Sequence, residues 1–144
     1  MKHRNLLALA LLLPLVFALG CEQSKLKKAA MAADGFSVTV KAFQEAEVSA
    51  HQQGLVDDAE HKAIEAAIAD MARAGLELDN AVRVASTNTP GPKALAALDQ
   101  AYASLDNLFN VGVLHIKNPK ARQSLQALLL SAKGFLATIS AVLR

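Results

Sequence analysis

Three histidines and one glutamate are the residues of this chain whose types and spacing suggest chemistry. His51, His61 and His115 fall at the ends of three consecutive helical stretches, and Glu65 follows His61 by four residues, on the same helix face. In an antiparallel bundle those ends meet at one pole. Imidazoles and a carboxylate gathered there are the donor set of a zinc or copper site, or of a titrating cluster that senses pH. A plainer reading stands beside it. His51 lies next to the apolar stripe of its helix, not on it, and a partly buried histidine at a helix end is commonly just hydrogen-bonded. The chain is read as holding no metal and no cofactor. The remaining reactive side chain is Cys21, the only cysteine.

Other chemistry lacks its residues. The sequence has no Cys-x-x-Cys-His for haem attachment, no His-Glu-x-x-His, no Glu-x-x-His pair and no phosphate-binding glycine loop. Nothing in the pattern positions a nucleophile against a base, so the expectation is that the protein is not an enzyme.

Cys21 is preceded by Lys2 and Arg4, an apolar run from Leu6 to Leu19 broken by Pro14, and Gly20. Basic start, apolar centre and small residue before a cut are the parts of an export signal. With Ala18-Leu19-Gly20-Cys21 at its end, the stretch 1–22 resembles the signal and lipobox of a bacterial lipoprotein, cut by signal peptidase II. A retained membrane helix over residues 5–20 would be short of the roughly 20 residues a span needs. A lone thiol exported without modification would have no partner in an oxidising compartment.

That resemblance implies a diacylglycerol on the Cys21 sulfur and an acyl chain, such as palmitate, on the freed amino group. Its partner is then membrane lipid. Each buried methylene contributes about 0.8 kcal/mol, so two or three chains hold firmly. Glu22 stands where an aspartate would favour retention at the inner membrane. In a Gram-negative host the implied address is the outer membrane, facing the periplasm. Lys25, Lys27 and Lys28 follow at once. They read equally as an attraction to anionic headgroups or as a solvated helix start.

Removing residues 1–20 from 144 leaves 124, the size of one domain, here residues 21–144. Lys2 and Arg4 leave with the signal, so 13 of the 15 basic side chains remain against 13 acidic ones. A neutral domain offers no argument for nucleic acid, and with one tyrosine and no tryptophan it has no stacking platform. Alanine is abundant and β-branched runs are scarce, which favours helices.

The apolar residues fall into four stripes with alternating spacings of three and four. The first is Leu26, Ala29, Ala33, Phe36, Val40, Phe43 and Ala50, interrupted by Glu47. Gly54 offers a stop, and Asp57-Asp58 a cap. The second is His61, Ile64, Ile68, Met71, Gly75, Leu78, Val82 and Ala85. Ser86–Gly91 is a loop by composition. The third is Leu95, Leu98, Tyr102, Leu105 and Phe109, continuing helically towards Ile116, with an extended connection from Val111 as the alternative. Asn118-Pro119 is a boundary. The last is Leu125, Leu128, Ala132, Phe135, Ile139 and Val142, widened by Leu129, Leu136 and Leu143. These stripes predict helices over about 24–53, 57–87, 92–117 and 119–143, each on the order of 40 Å long.

Matched helices with short connections predict an all-α, up-down-up-down antiparallel four-helix bundle after a cleaved signal peptide. Gly75 and Gly134 would allow close helix approach. Leu128, Leu129 and Leu130 cannot all point one way, so the fourth helix is either central or exposes a flank to a partner. The function expected is a membrane-anchored, non-enzymatic helical interaction module of the cell envelope, contacting another envelope protein or itself. The alternative is a carrier or sensor of a small apolar ligand or metal ion.

Overall fold

A computed structural model of the chain describes residues 25–84 and 92–144. The leader, Cys21, Glu22, residue 24, the positions 85–87 at the end of the second predicted helix, the loop at 86–91 and the side chain of Leu26 lie outside the described residues.

Four helices form an all-α bundle, with no strand among the described residues: α1 (Lys25–Gln52), α2 (Asp58–Val84), α3 (Pro92–Asn107) and α4 (Pro119–Leu143). Ion pairs fix their directions. Asp34 meets Arg83 at 2.6 Å and Glu47 meets His61 at 2.8 Å, so α1 and α2 run antiparallel; Asp99 meets Arg144 at 2.6 Å at the end of α4. Each helix packs on the next in order, and α4 closes the ring against α1.

The α1 and α2 stripes enter the core. Ala29, Ala33, Phe36, Val40, Phe43 and Ala50 of α1 are buried, as are Ile64, Ile68, Met71, Gly75, Leu78 and Val82 of α2. The other two helices are rotated from their predicted faces. In α3 the buried set is Ala94, Ala97, Leu98, Ala101 and Leu105, while Leu95, Tyr102 and Phe109 are half-buried on the flank. In α4 it is Leu125, Leu129, Ala132, Leu136, Ile139 and Leu143, with Leu128, Phe135 and Val142 half-buried. The Phe135 ring lies over Gly35, where an added Cβ would collide with its Cε1 atom. Gly75 also permits close approach, because Phe36 lies against it. Gly134 does not, since nothing stands within 4 Å of where its Cβ would be.

The consecutive leucines of α4 divide three ways: Leu129 buried, Leu128 half-buried and Leu130 69% exposed. By length and composition α4 would pass as a membrane span. In the bundle it is amphipathic, and its outer face carries Gln123, Ser124, Ser131, Lys133 and Thr138.

Beyond Asn107 the chain stays helical but changes pitch. Leu108–Gly112 is a π-turn and Val113–His115 a 3-10 turn. The Val113 amide donates back to the Leu108 carbonyl, and the wide turn sets both residues on one face, where both are buried. Gly112 is needed at the crossing, because a Cβ there would lie 2.9 Å from Ile64. Asn118, in an extended conformation, then caps α4: its side-chain oxygen accepts from the Lys120 and Ala121 amides at 3.0 and 3.2 Å, and Pro119 opens the helix. Asn118→Ala should lower stability by about 1 kcal/mol, read as a reduced urea midpoint with an unchanged slope.

Candidate functional site

The α1–α2 pole brings together the charged residues with the most unusual surroundings. The turn that builds it is local. Gly54 adopts φ +70, its amide donates to the His51 carbonyl at 2.8 Å, and the Leu55 amide donates to Ala50 at 2.9 Å. Val56 is then buried, and Asp57 starts α2 with a capping box. Its Oδ1 accepts from the Ala59 and Glu60 amides at 3.0 and 2.9 Å, and its own amide donates to Glu60 Oε2 at 2.9 Å. Lys117, from the connection before α4, ties this turn down: its amide donates to Glu60 Oε1 at 3.0 Å and its Nζ donates to Asp57. That contact with Lys117 holds the Asp57 carboxyl below the usual carboxylate range.

Inside the turn sits Glu47, which has no exposed surface at all. His61 Nδ1 donates to it, at 2.8 Å from Oε1 and 3.1 Å from Oε2. Burial of a carboxylate is costly without such a partner. His51 stacks flat on His61, with ring centres 4.1 Å apart and planes 5° from parallel. Its Nδ1 donates to the Val56 carbonyl at 3.0 Å, which orients the ring. The outer edges face carboxylates: His51 Nε2 is 3.7 Å from Asp58, and His61 Nε2 is 3.9 Å from Glu65.

The hydrogen bond to Glu47 raises the His61 pKa above its usual value, outweighing the opposing effect of desolvation. A histidine favoured as the cation in the folded state stabilises the fold fully below its unfolded pKa of about 6.5, and that contribution is lost as pH rises through the raised value. The urea midpoint should therefore fall as pH rises from about 6.5 through the raised value. In Glu47→Gln, which keeps an acceptor for His61 but removes the anion, that part of the decline should vanish.

Two of the three predicted histidines are thus brought together, and the third is not. His115 is exposed on the 3-10 turn. Among the described residues no group of three or more His, Cys, Asp or Glu side chains is placed to hold a metal ion. The outer nitrogens of the two stacked rings face different carboxylates, Asp58 and Glu65. Glu65 lies beside His61 but makes no short contact. Glu47 was legible only as a break in the stripe. Its partner could have been found from symmetry, because Glu47 and His61 stand seven residues on either side of Gly54.

Among the described residues, the larger cavities are open grooves. One groove of about 530 Å³ runs along α1 and α2 beside Gln44, Lys62, Glu65 and Ala69, and one of about 470 Å³ lies between α2 and α3 beside Glu77, Val84, Lys93 and Gln100. Their floors reach the edge of the core at Ile68 and Ala97, while Phe36, Phe43, Met71 and the leucines fill the core itself. A smaller cleft of about 110 Å³ between α3 and α4 is apolar, lined by Leu105, Phe109, Leu129 and Leu130 between Asp106 and Lys133. The site as a whole can hold a proton between carboxylate and imidazole, and it pins α1 to α2. Comparison of the chain with protein-family models, with curated proteins and with solved structures gives no match in any of the three.

Proposed function

We propose that this chain is a bacterial lipoprotein, anchored by acylated Cys21 in the cell envelope, whose helical bundle is a non-enzymatic interaction module. The observation that carries the reading is the sequence from Lys2 to Cys21: basic start, apolar run, Gly20 and the sole cysteine. The bundle's first helix begins at Lys25, so only three residues separate it from the anchor. In a Gram-negative host the protein resides on the outer membrane and faces the periplasm. Leu130, exposed at the lip of the apolar cleft beside Phe109, supports a contact with another envelope protein or a second copy of the chain. The carrier alternative has less support, since the larger grooves are open at the surface and edged by charged side chains, Lys62 and Glu65 in one and Glu77 and Lys93 in the other.

Intact mass of the protein purified from a bacterial host tests the anchor. A chain starting at Cys21 with a diacylglycerol and one further acyl group is the expected result. A bare sulfur, or a leader still joined to the bundle, overturns the reading. Cys21→Ser should abolish acylation and shift the protein out of the membrane fraction.

A further inference from the structure

The two poles of the bundle differ in charge. Where α1 begins, α2 ends, α3 begins and α4 ends, the terminal turns carry Lys25, Lys27, Lys28, Arg83, Lys93 and Arg144, and no acidic side chain. One carboxylate, Glu22, stands in the tether before α1, and the others near this pole lie further along the helices. Asp34 and Asp79 are both engaged by Arg83, Asp99 by Arg144, and Glu77 lines the same groove as Lys93. At the opposite pole Asp57, Asp58 and Glu60 balance Lys117, Lys120 and Arg122. The basic pole also exposes apolar side chains, Met31 at 56% and Val84 at 84%.

Stability does not account for this arrangement. Three lysines in the first turn of α1 oppose the helix dipole, and neither α1 nor α3 has an acidic residue in its first turn. Position does account for it. Glu22, Gln23 and Ser24 are the only residues between Cys21 and Lys25. Even fully extended, that tether spans about 14 Å, and screening lengths in physiological salt are about 8 Å. A bundle held by a lipid at Cys21 therefore stays within two screening lengths of the headgroups, and comes within one when the tether is not fully extended.

We infer that the pole formed by Lys25, Lys27, Lys28 and Lys93, with Met31 and Val84, docks on the anionic headgroups of the bilayer that holds the Cys21 lipid. This inference rests on the lipoprotein reading for its tether. Docking stands the bundle upright, points the Glu47–His61 pole away from the membrane, and leaves the cleft at Leu130 on an accessible side.

The test uses the full chain, purified from a bacterial host and reconstituted into vesicles of phosphatidylcholine alone or with about 30% phosphatidylglycerol. Amine labelling is read residue by residue by mass spectrometry. On the anionic vesicles, labelling of Lys25, Lys27, Lys28 and Lys93 should fall by about threefold or more, and recover in about 0.5 M salt. Lys62, Lys117 and Lys120 should not change. Equal labelling on both vesicles, or protection of the far pole, overturns the inference. Intact mass of the same sample reports acylation independently. Should Cys21 be bare, co-sedimentation of that unmodified chain still decides the matter. Roughly tenfold tighter binding to anionic vesicles, lost in K25Q/K27Q/K28Q/K93Q, upholds the basic pole while the anchor reading fails; equal binding to both vesicles overturns the pole as well.

Discussion

Replacing His61 by alanine should lower the unfolding free energy by about 3 kcal/mol, more than any surface substitution on this bundle. The reason is Glu47. Its carboxylate has no exposed surface, and both oxygens are held by one imidazole nitrogen. Truncation of His61 removes that donor and leaves an anion inside the bundle, where hydration is lost and nothing replaces it. Adding Glu47→Leu to the same variant tests the cause. The anion is then gone and an apolar side chain occupies the core position, so at least about 2 kcal/mol should return. If the single and double variants unfold at the same urea concentration, the buried carboxylate is not the source of the loss. His51→Ala is the internal control, because it removes the stacked ring but leaves the bond between His61 and Glu47 in place.

The same pair marks the limit of what the sequence discloses. The bundle was legible because stripes in α1 and α2 have only one apolar face to bury, and because Gly54, Asp57, Asn118 and Pro119 each have a local conformational reason to end or start a helix. In α4, by contrast, Leu125, Ala132 and Ile139 belong to two interleaved stripes, one completed by Leu128, Phe135 and Val142, the other by Leu129, Leu136 and Leu143. Both satisfy the helical period equally. The choice is made by tertiary contacts such as that of Phe135 with Gly35, between residues 100 positions apart, which periodicity cannot see. The π-turn at Leu108–Gly112 also meets a residue distant in the chain, since Gly112 lies against Ile64 of α2. The site was half legible for a related reason. Residue type alone marks the histidines as ligands, whereas their place about the turn pairs His61 with Glu47, and His115 has no such counterpart.

The largest loss from a core truncation is expected at Phe36. It is fully buried on α1, the helix that packs against both α2 and α4. Opposite it, across the α1–α2 interface, is Gly75, whose added Cβ would lie 3.0 Å from the Phe36 ring. Large-to-small substitution costs the transfer term plus a cavity term, and the cavity term is greatest where the surroundings cannot relax inward. A glycine has no side chain with which to do so. Phe36→Ala should therefore cost about 4 kcal/mol, towards the upper part of the usual range for phenylalanine. Gly75→Val, made alone, should cost about 2 kcal/mol by driving a branched side chain into the ring. Combined, the two changes relieve each other, because the new methyl groups enter the space the ring has left. A double-mutant cycle by urea denaturation should show coupling above about 1 kcal/mol. Additive losses would mean that Phe36 and Gly75 do not share the contact on which the close approach of α1 and α2 depends.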